Sequence, residues 1–290
     1  IQKWLHEYAE LTSRYVNNSY WLGRLNERLI RQASSYTHSL APLYDALAST
    51  PVPPLNTRIT LLLFLAHHQA AHKNFSNAWQ HWAEANRLRS EEAQLPIQAL
   101  GTQLQAARRY LDKPLFQRLR QAGNDTAPGL LIVGSQAETA QYLATLLDNN
   151  NVLSCAESQP LLDWLETLPK DVNAVEWVAD LTPEMLYQQA QQAASLLPKG
   201  AHVWLGPQWL PYLGRLALLF PQWPIVICEG EPLHTALAAL TADNGWQHPE
   251  RFTPASLGRQ MAISDALLKH YAFAVQNPVQ RVRMETLWER

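Results

Sequence analysis

The sequence predicts an α/β protein preceded by an all-α region, and two observations carry that prediction. Up to Gly101 apolar residues recur every three or four positions and glycine is nearly absent, the pattern of packed helices. After Gly123 short β-rich runs alternate with longer amphipathic stretches, which implies a mainly parallel sheet covered by helices. The expected division is a helical domain over 1–122 and an α/β domain over 123–290.

In the first half, Trp4, Leu5, Tyr8 and Leu11 mark one helix, and Tyr20, Leu22, Leu25, Leu29 and Ile30 a second. Pro51-Val52-Pro53-Pro54 then breaks the pattern, because proline lacks an amide hydrogen and clashes with the preceding turn. The apolar run from Leu61 to Ala66, a turn at Lys73-Asn74-Phe75, and then Ala78, Trp82, Ala85 and Leu88 predict an antiparallel helix pair. Small side chains at Ala66, Ala78 and Ala85 let the two axes approach closely, and the register resembles one tetratricopeptide repeat.

In the second half, strands are expected at 130–133, 152–155, 202–205, 225–228 and 279–284. Helices are expected at 139–147, 183–196, 210–220, 233–242 and 254–275. In such sheets ligands bind beyond the carboxyl ends of the strands.

Composition narrows the function classes. Hydrophobic residues make up 47% of 290, enough for a substantial core. Only 17% are charged and the net charge is −2, which points away from nucleic acid and acidic membrane surfaces. Cys155 and Cys228 each close an apolar run, where a thiol behaves as a small hydrophobe, and a reduced, cytoplasmic setting fits them best. No apolar run approaches the roughly 18 residues of a spanning helix. The chain opens on Ile1 rather than Met, which leaves room for a preceding segment in a longer parent.

Leu130-Leu131-Ile132-Val133-Gly134 forms a strand ending in Val-Gly, followed by a short loop and a helix with Tyr142-Leu143 and Leu146-Leu147. Gly206-Pro207, the run from Leu213 to Pro221, Glu231-Pro232-Leu233-His234-Thr235 and Leu257-Gly258-Arg259 follow in order. Together with Asn74 through Leu88 this series resembles the bacterial sulfotransferases that carry N-terminal tetratricopeptide repeats, over about 61–287. The resemblance implies a three-layer, P-loop-type α/β domain, further helices after position 287, and sulfuryl transfer from 3′-phosphoadenosine-5′-phosphosulfate to a hydroxyl.

Such a donor is strongly anionic and requires cationic side chains beside backbone amides at a helix N-terminus. Where the family reads x-P-R-S-G-T-T, this chain reads Ser135-Gln136-Ala137-Glu138-Thr139-Ala140-Gln141. The resemblance puts Glu229 and Ala238 where the family grips the 3′-phosphate with Arg and Ser, and Gly230 at a second Arg. A carboxylate about 5 Å from a phosphate charge, at an effective dielectric near 20, repels it by roughly 3 kcal/mol where an arginine attracts it equally. That swing of about 6 kcal/mol is some four orders of magnitude in affinity. The resemblance therefore implies a pseudoenzyme without cofactor. Glu157 stands at the family's general-base position and would act only if the donor site were rebuilt from other residues.

His68 and His72 are four apart on one helix face, as metal ligands can be, but no Glu or Cys stands at the companion positions and no metal site is expected. No nucleophile elbow, CxxC pair or basic cluster is apparent. The aromatic stretches at 160–165 and 175–178 admit two readings, a partner-binding surface and, the one favoured, helices packing on the sheet. Helical repeats present concave surfaces to peptides, so the expected partner is another protein or peptide, met by His67, His68, His72, Trp79 and His81. The rival readings are an active enzyme and a small-molecule sensor with an acidic pocket.

Overall fold

A computed structural model describes residues 2–14, 28–92, 97–124, 129–135, 137–149, 159–167, 178, 181–197, 202–205, 207–241 and 252–285. The chain forms two compact units, one of 1–96 with 237–257 and the other of 97–236 with 258–290. The helices between 97 and 122 thus fall in the same unit as the sheet, whereas the change of residue pattern after Gly123 predicts a boundary there. The expected strand at 152–155 lies outside the described residues, as does most of the expected second helix.

In the first unit, α1 (Gln2–Arg14), α2 (28–35), α3 (Ala41–Leu47), α4 (Leu55–Ala71) and α5 (Phe75–Glu92) surround one core. The six-residue run from Leu61 to Ala66 is buried throughout, so α4 is the central helix and is enclosed on every side over that run. Leu5 and Tyr8 of α1, Leu29 and Ala33 of α2, Leu43 of α3 and Leu88 of α5 pack in its cluster. Ala66, Ala78 and Ala85 are all fully buried, as close approach of α4 and α5 requires.

The α4–α5 turn is a helix stop closed by backbone alone. Asn74 N–H donates to Gln69 O at 2.8 Å and Lys73 N–H to Ala70 O at 2.9 Å, capping the last carbonyls of α4. This geometry puts Lys73 at φ 60°, a left-handed conformation in which its Cβ is crowded.

The second unit holds a four-stranded, all-parallel sheet in the order β2-β1-β3-β4, from β1 (Leu130–Gly134), β2 (His202–Leu205), β3 (Ile225–Glu229) and β4 (Val279–Arg283). Side chains alternate across a strand, and the core divides accordingly. Leu131, Val133, Val203, Ile225 and Ile227 face a large cluster. That cluster is completed by α6 (Ile97–Tyr110), α7 (Lys113–Leu119), α9 (Gln159–Thr167), α10 (Pro183–Ser195), α11 (Leu213–Leu219) and α13 (Pro254–Ala274). Ile132 and Cys228 face the other way, against Ala140 and Ala144 of α8 (Ala137–Asn149). Helices therefore cover both faces. Leu161 and Leu165 of α9 are buried, in keeping with a packing role for that aromatic stretch.

Where a single helix was expected at 210–220, the chain runs as a 3₁₀ helix over Pro207–Tyr212 and only then as α11. Pro211 explains the difference, since its ring cannot donate the α-helical hydrogen bond. Asn277 fastens the far end of the sheet: its Nδ2 donates to Phe220 O at 2.8 Å and to Trp223 O at 2.9 Å, joining the approach to β3 to the approach to β4.

Lys73→Gly should relieve the left-handed strain and raise stability by about 1 kcal/mol, measured by urea denaturation; a less stable variant would show that the Lys73 side chain contributes more than its backbone costs.

Candidate functional site

In the order β2-β1-β3-β4, successive strands leave β1 in opposite directions, so the loops after β1 and β3 diverge and open a crevice at their carboxyl ends. A cleft of 710 Å³ lies there, bordered by Ser135 after β1, by Ile227 through Pro232 at the end of β3, by Arg281, Arg283 and Glu285 of the β4 end, and by α13. Ile227, Cys228, Met261 and Leu268 supply its apolar part.

Gly230 sets the closeness of the two loops. A Cβ at this position would stand 2.4 Å from Thr235 Oγ1 and 3.1 Å from Thr139 Cγ2, so any side chain here would push apart the first turns of α8 and α12 (Pro232–Thr241). An arginine at this position would have no room.

Four carboxylates and two guanidinium groups border the cleft, and each carboxylate is engaged. Glu229 forms an ion pair with Arg281 on the adjacent strand, a diagonal neighbour in the β3–β4 register. Glu231 accepts from His234 N–H at 2.8 Å at the start of α12, and the first-turn amides of His234 and Leu233 hold its carboxyl below the usual range. Glu285 accepts from the Glu231 amide. Asp265 pairs with Lys269 at 2.7 Å along α13. Arg281 and Arg283 stand in the cleft beside these four carboxylates, so the lining stays net negative while Glu229 is neutralised by the first of them. Burial pushes the Cys228 thiol up to about 12, which disfavours the thiolate near neutral pH.

No family model, curated protein or solved structure matches this chain. Function has to be argued from these side chains.

Of the positions expected in a vestigial donor site, Ser135 and Glu229 come together at the cleft, and Ser135 O accepts from Gln260 Nε2 at 3.4 Å. Thr139 reaches the back of Gly230, and Ala140 is buried against the sheet. Ala137 and Glu138 open α8, but their side chains lie outside the described residues, as do Gln136 and Glu157 entirely. Ala238 is exposed on the second half of α12, which belongs with the N-terminal unit.

The residues expected to meet a partner do not form one exposed face. His68 is buried, at 9% exposure, and its Nδ1 engages Ala33 O at 3.0 Å, so it is a structural tie between α4 and α2. His72 donates from Nδ1 to His68 O at 2.9 Å, with the two rings 4.2 Å apart. His67 is half-buried, edge-on to Trp82 at 5.5 Å. His81 meets the Tyr44 hydroxyl through Nε2 at 3.1 Å. Trp79 is 39% exposed and borders a groove of 190 Å³ with Ala83, Asn86 and Phe252. Among the described residues no group of three or more His, Cys, Asp or Glu is placed to hold a metal ion.

Sequence reasoning passed over two features. Arg281 and Arg283, two apart on the last strand, share a face by the period of two and so could have been read as a pair of cations on one face of the sheet. A basic run between Arg108 and Arg120 was also overlooked, although its charge is plain in the sequence.

Desolvation holds the His81 imidazole below its ordinary pKa of 6.5. The unfolded chain then takes up a proton that the folded chain resists, so the stability from this group is present above 6.5 and lost as pH falls through and below it. Between about pH 7.5 and about pH 5.5, urea denaturation should show a smaller loss of stability for His81→Gln than for the wild type.

Proposed function

We propose that the chain is a sulfotransferase-like protein that has lost sulfuryl transfer and works as a binding scaffold, with a tetratricopeptide-like helix pair in its N-terminal unit. The observation that carries this reading is Glu229, paired to Arg281 at the carboxyl end of β3, where the family grips a 3′-phosphate. The strand ending in Val133-Gly134, the helix that follows it and the parallel neighbours on both sides support the likeness. Gly230, without space for an arginine, supports the loss.

The ion pair changes the electrostatic argument. With Arg281 beside it, Glu229 no longer repels a phosphate by its full charge, and what remains is the missing attraction, about 3 kcal/mol or two orders of magnitude in affinity. Both side chains are more than a third exposed, so the pair itself contributes only about 0–1 kcal/mol to stability. A rebuilt donor site for 3′-phosphoadenosine-5′-phosphosulfate, with Glu157 as base, is the second reading, favoured by Arg281 and Arg283 at the cleft. The sensor reading keeps one support, the excess of four carboxylates over two guanidinium groups at the cleft, although each carboxylate already has a partner within the protein.

A protein or peptide partner suits the groove beside Trp79 better than the histidines, since His68 holds two helices together. Substituting His68 would test folding rather than recognition. An isolated 123–290 fragment would likewise carry 237–257 without the helices this segment packs on.

Adenosine 3′,5′-bisphosphate at millimolar concentration should give the same melting-temperature response in the wild type and in Arg281→Gln, because a ligand that does not bind the β1–β3 crevice cannot stabilise the protein through it. A dose-dependent rise of several degrees in the wild type that is lost in Arg281→Gln would establish the rebuilt donor site in place of the scaffold.

Glu229→Arg, combined with Glu138→Ser, should strengthen binding of the same nucleotide in calorimetry relative to the wild type. The first substitution adds one cation and frees Arg281, so more than one charge is gained. A folded double variant that binds no more tightly than the wild type would remove the donor-site assignment.

A further inference from the structure

Between Arg108 and Arg120 the chain carries five cations, Arg108, Arg109, Lys113, Arg118 and Arg120, against one carboxylate, Asp112, although the whole protein is at −2. The segment is the corner between α6 and α7. Leu111 anchors it in the core, and His270 Nε2 of α13 engages Leu111 O at 2.9 Å, so the corner is held from both sides. A cleft of 320 Å³ opens on it, with Arg109 and Arg118 among its walls.

The electrostatics of this cleft differ from those at the β3 end. Asp112 is already used: its carboxylate accepts from Leu115 N–H at 3.0 Å as the cap of α7. Among the described residues no carboxylate pairs with Arg109 or Arg118. The Arg109 guanidinium lies 5.2 Å from the Tyr110 ring centroid, a cation–π contact that steadies the group while leaving its N–H donors free to reach an anion.

We infer that the α6–α7 cleft is a binding site for a phosphate-bearing anion, held between the guanidinium groups of Arg109 and Arg118. A volume of 320 Å³ is at the lower end of ligand pockets, suited to one or two phosphate groups and too small for a whole dinucleotide. Two planar forks can each donate paired hydrogen bonds to phosphate oxygens, which a lysine cannot. The same chemistry is offered by a soluble phosphate ester and by a lipid headgroup. Phe273, 72% exposed with the Lys113 ammonium 5.4 Å from its ring, stands beside the corner and would enter the interface only in the lipid case. The site is independent of the donor-site reading, because it shares no residue with the β1–β3 crevice.

The test is calorimetric titration of the full chain with inorganic pyrophosphate at low ionic strength, for the wild type, the Arg109→Gln/Arg118→Gln double variant and Arg108→Gln. Saturable binding is expected, weakened about tenfold or more in the double variant and little changed in Arg108→Gln, whose residue is outside the cleft. Sedimentation with phosphatidylcholine vesicles, with and without phosphatidic acid, distinguishes the sources. Capture by the acidic vesicles that is lost in Phe273→Ser, with pyrophosphate binding intact, assigns a lipid headgroup; pyrophosphate binding without vesicle capture assigns a soluble ligand. No binding of either probe, or equal weakening by Arg108→Gln and the double variant, overturns the site.

Discussion

Strand β1 has a parallel neighbour on each edge and helices on each face, and the sheet unit depends on that complete enclosure. A strand so placed satisfies its backbone within the sheet and must be apolar on both sides, which is why Leu131, Ile132 and Val133 form an unbroken run rather than an alternating one. Enclosure also fixes where the chain can leave. At the carboxyl end of β1, Ser135 and the start of α8 are brought to the same edge as Glu229 and Gly230.

From this geometry follows a crevice whose charges are settled locally. Arg281 and Glu229 answer each other across two strands, and the start of α12 takes up the Glu231 carboxylate. Side chains that already have partners contribute order to the loops but offer little to a ligand, since every new contact must first replace an existing one. The α6–α7 corner is the contrasting case, with its single carboxylate turned to the backbone.

Much of the sheet was legible in the sequence, because buried parallel strands are short apolar runs bounded by Gly and Pro, and 202–205 has the bounds expected of it. The helix pair was legible for a similar reason: small residues at Ala66, Ala78 and Ala85 permit only close packing. What could not be read is relational. Periodicity places His68 and His72 on one face but cannot reveal that Ala33 O lies against the first of them. Nor could Glu229 be weighed without the register that sets β4 beside β3. Pro211 is plain in the sequence, yet the apolar spacing over 210–220 carries no sign that the segment begins as a 3₁₀ helix.

The assignment of 237–257 to the N-terminal unit has a consequence for synthesis on the ribosome. Asn86 donates to Leu240 O at 2.8 Å, and Arg89 lies over the Phe252 ring at 5.8 Å, so part of the first unit's packing is supplied by chain made after most of the second. The helices before residue 97 emerge first but wait for more than half of the remaining chain before these contacts can form. Folding cannot proceed strictly from one end to the other, and the growing chain must keep the face of α5 around Asn86 and Arg89 exposed until the late segment arrives.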